Sequence, residues 1–445
     1  MPENTVLAPR STPSSEASQT AAASPGGAEP GESLRPGSIA LIALVAFGAG
    51  TAFIVPMVFS LAIRVDAIYP GRDYLLGFAT GTAALLGLFA GPVAGLFSDR
   101  HRSRFGRRRP FMVASALVGV AGLPILATAD SLMMLAAGWL VASIGWSTLM
   151  ATVQFIVADI VPPHQRGRVS GLVGMSMQIA HVAGLPLVGA VAGSSWGLFA
   201  IPTAVAVVCL TVFCVRVRER DTRDLPAPPP ITGRDVAASF VFNPLRHRAF
   251  ALTWTGRFMV FFGMGTTATF QAFFVAQRLG LAVSDVAPTL TLISGVALVP
   301  AIGGAIELGT ISDRVGRTPI ITVACALYVT GVSVQAFAWA LPALLAGQIL
   351  ASLGFAAFIA VSQATVLDVL PGRGRHTGRF LAINQFAQKL SASLAPLLAP
   401  VLMGIGGTEH ANYTALFLAA AGCGVVGGVL MRRATSMPTR SAPGS

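Results

Sequence analysis

Charge is scarce in this 445-residue sequence: 11% of the residues are charged and 54% are hydrophobic. A soluble domain carries roughly 25% charge, so there is too little polar surface here to cover the apolar mass in water. With mean hydropathy at +0.71, the natural solvent is a bilayer, which a helix of about 20 apolar residues crosses. Lysine is scarcer still. Of the 30 basic residues, all but Lys389 are arginine. A nucleotide-binding P-loop needs Gly-Lys-Ser/Thr to hold phosphates, and Lys389 follows Gln388, so no ATPase of that type is encoded. ATP-driven pumping would need a separate subunit. Cysteine is also rare. Cys209, Cys214, Cys325 and Cys423 are scattered through apolar runs without metal-ligand spacing or paired histidines, and they read as buried small hydrophobes. No metal cluster, nucleophile elbow or pair of catalytic carboxylates is visible, so the expectation is no enzyme, no cofactor and no metal.

What is present is a series of twelve apolar runs, at 38–63, 73–98, 110–129, 131–158, 169–193, 195–215, 249–277, 285–311, 318–339, 341–367, 378–404 and 411–431. Pro110, Pro319 and Pro342 sit near run starts, where a missing amide proton costs little. Residues 1–36 are rich in Ser, Pro, Ala, Gly and Glu without apolar periodicity and read as a disordered tail, not as a signal peptide. The polar stretch at 218–248, containing PAPPP, divides the chain into six spans at 37–217 and six at 249–432, and 433–445 reads as a second tail.

The net charge of +12 takes its meaning from where the arginines lie. Arg100, Arg102, Arg104 and Arg107 to Arg109 fall between spans two and three, and Arg166 and Arg168 between four and five. Seven more lie in the central connection, Arg314 and Arg317 follow span eight, Arg373, Arg375 and Arg379 flank the loop after span ten, and Arg432, Arg433 and Arg440 close the chain. Alternate loops hold Arg64, Arg72 and Arg278. The positive-inside rule then places both termini in the cytoplasm and the chain in the cytoplasmic membrane. The charge is a topology signal, and nucleic acid is not an expected partner.

The two halves repeat each other. VASIGWSTLMATVQFIVADIVPPHQR at 141–166 aligns with LASLGFAAFIAVSQATVLDVLPGRGR at 350–375 at a constant offset of 209, pairing Gly145 with Gly354, Trp146 with Phe355, Gln154 with Gln363, Asp159 with Asp368 and Arg166 with Arg375. The loops after spans two and eight repeat as well: GLFSDRHRSRFGRRRP begins at Gly95 and GTISDRVGRTP at Gly309.

In these loops the sequence resembles the major facilitator superfamily over nearly all of 37–432. Gly309, Asp313, Arg314, Gly316 and Arg317 look like its signature loop in the usual spacing, and Gly95, Asp99, Arg100, Gly106 and Arg107 look like an expanded form. The resemblance implies an all-α integral membrane protein of twelve transmembrane helices in two pseudo-symmetric six-helix bundles, working as a monomer by alternating access. It also implies that Asp99, Arg100, Arg107, Asp313, Arg314 and Arg317 form a cytoplasmic latch. The expanded loop is similar to that of sucrose transporters and, more distantly, of glycoside-pentoside-hexuronide cation symporters, which implies sugar or glycoside uptake with protons. Gln154 stands where sucrose transporters tend to have arginine, and spans one and two lack the acids of melibiose-type carriers. The alternative is a drug or metabolite efflux antiporter; its Gly-Pro motif in helix five is here separated, as Gly184-Leu185-Pro186.

Ionisable side chains within spans are expensive, by about 2.5 to 3.5 kcal/mol, and become site candidates. Four qualify: His181, Arg257, Glu307 and Lys389. His181 suits a proton carrier, or a neutral histidine bonded to a neighbour. Lys389 sits too deep to snorkel and suits a switching or fixed charge. Glu307 and Arg257 suggest a salt bridge or a coupling pair. Gln154, Gln178, Gln363, Asn384, Gln385 and Gln388 offer donors and acceptors for sugar hydroxyls, and Trp146 and Phe355 offer stacking faces or helix packing. The expected partners are a small solute, protons and lipid.

Overall fold

The computed structural model describes Leu34 and residues 36–88, 108–217, 247–368, 377–406 and 411–437. Regular structure among them is helical throughout. Helix α1 (Pro36–Val55) continues through a π-helical turn (Pro56–Ser60) into α2 (Leu61–Ile68), and α3 (Leu75–Gly87), α4 (Arg109–Ala127), α5 (Leu132–Ile160), α6 (Pro163–Gly189) and α7 (Ser195–Arg216) follow. The second half comprises α8 (Arg248–Thr269), α9 (Gln271–Leu279), α10 (Ala287–Val315), α11 (Arg317–Ala336), α12 (Leu341–Asp368), α13 (Thr377–Met403) and α14 (Tyr413–Thr435). Among the described residues, ten spans are long and apolar enough to cross a bilayer, and the bent pair α8 and α9 makes an eleventh. The run expected at 73–98 is described only to Leu88, and α3 is its first 13 residues.

Polar caps set several of the boundaries. Ser131 accepts from the Met134 amide at 3.4 Å, Ser194 from that of Gly197 at 3.1 Å and Asn412 from that of Ala415 at 3.0 Å, each satisfying an amide that has no partner inside its helix. One expected run is interrupted: the stretch at 249–277 breaks at Phe270 and bends by 55°. The Phe270 ring is fully buried, and its tip lies 3.0 Å from where a Cβ on Gly77 would stand, so α3 holds the ring at the break.

The duplication is also present in the packing. Helix α1 packs on α6 and α7, α4 on α5 and α7, and α3 on α5; shifted by one half, α8 packs on α13 and α14, α11 on α12 and α14, and α10 on α12. The main contacts between halves, α3 with α13 and α6 with α10, exchange under the same shift. Without a hydrophobic force between helices in lipid, small residues at these seams let backbones approach. A Cβ on Gly145 would stand 2.2 Å from the Gly119 nitrogen, and one on Gly354 would stand 2.4 Å from the Tyr328 nitrogen, the same seam 209 residues later.

The halves meet at the end remote from the arginine-rich loops. There a Cβ on Gly77 would lie 2.2 Å from the Pro396 carbonyl oxygen and one on Gly189 would lie 2.5 Å from the Ala287 Cβ. The buried Tyr413 hydroxyl donates to Asp73 Oδ2 across the two halves at 2.6 Å. Toward the basic end the contact is lost. Val182 and Gly189 on α6 touch α10, but Gly171, on the same helical face, has no atom within 4 Å of a built Cβ. The cleft between the halves therefore opens toward the basic end.

Two arginines that run against the loop-charge pattern act as struts at the closed end. Arg64 donates to the Ser195 hydroxyl at 2.8 Å and to the Ala129 carbonyl; Arg278 donates to the Ala336 carbonyl at 2.9 Å and to Thr414 at 2.5 Å, with Trp339 stacked 4.1 Å from its guanidinium. Each ties the far end of one half's first span to the turn after the third and to the start of the sixth. Hydrogen bonds from a charged donor contribute about 1.5 to 3 kcal/mol each, so Arg278→Ala should lower stability by roughly 3 kcal/mol and depress the detergent unfolding midpoint clearly. An unchanged midpoint would sink the strut assignment.

Candidate functional site

Contacts on either side of α6 show which way its polar residues look. Ala180 and Gly184 meet α1, Val182 and Gly189 meet α10, and His181, Gln178 and Gly174 occupy the arc between. Exposed Met175, Ile179 and Leu187 take the opposite, lipid-facing arc. Gln178 is exposed in the cleft, and His181 is half-buried with its Nε2 enclosed and lacking a hydrogen-bond partner among the described residues. On α13, Ala392 and Ala395 meet α8, Pro396 and Leu397 meet α3, and the arc between holds Gln385, Gln388 and Lys389, all exposed. Asn384, beside them, is 1% exposed, and neither end of its amide is bonded. Gln154 is exposed on α5 and Gln363 half-buried on α12.

Three expectations need correction. Glu307 and Arg257 do not pair: Glu307 is exposed on α10, while Arg257 is 2% exposed on α8 and donates from Nη1 to Ser362 Oγ on α12 at 2.5 Å. Both lie at similar depth, but they sit on helices that do not pack together, and depth was all that their sequence positions conveyed. Trp146 does not offer a face to the cleft. It is 2% exposed and lies flat on α4, where a Cβ on Gly119 would come within 2.6 Å of its ring. Its repeat partner Phe355 is half-buried and packs edge-on against Phe261 at 5.6 Å and beside Tyr328 at 6.1 Å, inside the second half.

At the basic end the repeat produces a matched pair of ion pairs. Arg108 donates from Nε and Nη2 to Asp159 Oδ2 at 2.9 and 2.7 Å, and Arg317 donates from Nε to Asp368 Oδ2 at 3.3 Å. The offset is again 209 at both ends. Reading the loop by its Gly-Arg dipeptide pairs Arg107 with Arg317; the offset pairs Arg108 with Arg317 instead, because the first loop carries one more residue between its glycine and its proline. Aligning Pro110 with Pro319 would have found it. Arg166 closes α5 by donating to the Val161 and Ala158 carbonyls at 2.9 and 3.0 Å, a cation at a helix C-terminus. Gly309 and Arg314 lie in the last two turns of α10, and Gly316, at φ 101°, makes the turn into α11, a conformation a side chain would strain. Gly95, Asp99, Arg100, Gly106, Arg107 and Arg375 lie outside the described residues, as does the side chain of Asp313. Sequence reasoning had no signal for Asp73 and Tyr413, whose bond joins residues 340 apart.

The described residues thus make a helical multi-pass membrane protein whose duplicated halves flank a one-sided polar cleft. The chain belongs to the Major Facilitator Superfamily, whose family profile matches residues 38–333 and 291–445. It is 34% identical over 106 residues to the human proton myo-inositol cotransporter, covering 24% of this chain and 15% of that protein. It is 30% identical over 116 residues to the general alpha-glucoside permease of Schizosaccharomyces pombe, covering 26% of this chain and 19% of that one. The matched stretches thus span less than a fifth of either relative. The crystal structure of the nucleoside transporter NupG superposes with a TM-score of 0.69 at 11% identity, covering 90% of this chain and 99% of that one, a likeness of fold.

Proposed function

We propose that the protein is a secondary transporter of the cytoplasmic membrane that imports a sugar or glycoside with protons by alternating access, as a monomer with both termini in the cytoplasm. The observation that carries this reading is the polar lining of the cleft: amides at Gln178, Gln385 and Gln388 with His181 and Lys389 on the arcs that face the other half. Amides present both donors and acceptors, as polyhydroxy solutes require, and histidine is the side chain whose ordinary proton affinity lies nearest neutral pH. The relatives' names, an inositol cotransporter and a glucoside permease, support the same substrate class. With the arginine-rich loops in the cytoplasm, the cleft described here is the inward-open state, and the paired carboxylate bridges at Asp159 and Asp368 belong to the network around the latch loops.

Proteoliposomes test this directly. An imposed inward proton gradient should drive accumulation of labelled glucoside or inositol, His181→Ala should uncouple uptake from the gradient, and Lys389→Ala should reduce uptake at least tenfold. Solute expulsion against the gradient would favour the efflux antiporter. Normal, fully coupled uptake by both variants would remove His181 and Lys389 from the mechanism.

A further inference from the structure

We propose that Arg257, Ser362 and Asn384 form a carboxylate-binding site, so that an acidic sugar or related polyhydroxy acid is preferred as solute over its neutral counterpart. The inference rests on the uptake reading above and concerns the chemistry of the same solute. Helices α8, α12 and α13 converge in the second half, where Phe250, Val366, Phe380 and Ile383 form one buried cluster and the Trp254 indole donates to the Ile383 carbonyl at 2.8 Å. Just beyond this floor come Arg257, one turn past Trp254; Ser362, one turn past Val366; and Asn384, the residue after Ile383. Three polar side chains from three helices thus share one level.

The group they form is incomplete. Arg257 is buried, its Nη1 goes to Ser362, and its guanidinium carbon lies 5.3 Å from the Phe261 ring centre. Its Nε has no acceptor, and no carboxylate among the described residues pairs with it. Asn384 is equally buried, with Nδ2 and Oδ1 both unbonded. A permanent cation removed from water and left without an anion is strongly disfavoured, as is a buried amide with no partner. Both deficits are removed by the same ligand. The Nε and Nη2 edge of a guanidinium is a planar fork whose two donors match the oxygens of a carboxylate, and the Asn384 amide can donate to the same anion while its oxygen accepts from a neighbouring hydroxyl. Lys389, exposed in the cleft little more than one turn further along α13, adds positive potential on the approach.

The test is equilibrium binding by the full-length protein purified in detergent, with labelled glucuronate, glucose, glucose 6-phosphate and benzoate as probes. Glucuronate should bind at least tenfold more tightly than glucose. Arg257→Gln should erase that preference, Asn384→Leu should weaken glucuronate more than glucose, and Arg257→Lys, which keeps the charge and loses the fork, should fall between wild type and Arg257→Gln. If Arg257→Gln does not fold, the wild-type preference and the lysine variant decide the matter. Equal binding of glucose and glucuronate, or a preference unaffected at Arg257, would overturn the carboxylate site and leave the sugar reading standing. Benzoate binding that depends on Arg257 and matches glucuronate would uphold the anion site and sink the sugar reading. A preference for glucose 6-phosphate would overturn the carboxylate assignment, and no binding of any probe would count against both.

Discussion

Gly145→Ala should prevent the protein from accumulating as a folded species, and Gly354→Ala should do the same. The added methyl at position 145 would sit 2.2 Å from the Gly119 nitrogen and 2.6 Å from the Ser115 carbonyl oxygen; at position 354 it would sit 2.4 Å from the Tyr328 nitrogen and 2.5 Å from the Ala324 carbonyl oxygen. These obstacles are backbone atoms, which cannot rotate aside as a side-chain tip can, so the helices must separate and lose contacts along the seam. Overpacking costs typically 1 to 3 kcal/mol, and a clash with a rigid backbone lies at or above roughly the upper figure. The comparison is Gly167→Ala on α6, where a Cβ meets nothing within 4 Å and the exchange favours the helix by about 1 kcal/mol. Monodisperse yield and unfolding midpoint in detergent are the readouts. Should Gly145→Ala behave like Gly167→Ala, the close packing of α4 on α5 is wrong.

A disulfide between α6 and α10 should abolish transport reversibly. A Cβ on Gly295 would lie 3.7 Å from Val182 Cγ1, the position a cysteine sulfur would take, so Val182→Cys with Gly295→Cys can close a bond with little movement. The native Cys209, Cys214, Cys325 and Cys423 would be replaced by serine or alanine in this background. The pair lies near the closed end of the cleft, where the two halves must part if the site is to face the other side. Oxidation should reduce uptake to the level of empty liposomes, and reductant should restore it. Full transport by the cross-linked protein would exclude rocking of the halves about this seam.

The legible part of this protein is what depends on composition, period and repetition. Apolar runs of spanning length and a constant offset between halves report membrane and duplication, because each is a property of local chain solvation or of copied sequence. Gly145, Gly354, Asp159 and Asp368 could be paired across the halves without coordinates for the same reason. Arg108 was within reach of the offset and was obscured by a one-residue insertion in an arginine run.

What required the assembled helices is direction. Trp146 and Lys389 both lie deep within long apolar runs, yet the packing of α5 against the glycines of α4 encloses one ring, and the contacts of α13 with α8 and α3 turn the lysine to the cleft. Depth in the membrane follows from counting residues, but azimuth follows from which neighbour covers which face, and that is set by contacts between residues far apart in the chain. The bond from Tyr413 to Asp73 and the separation of α6 from α10 at Gly171 are of this kind. They belong to the relative placement of two halves whose sequences, being nearly symmetric in packing, carry little record of which end is closed.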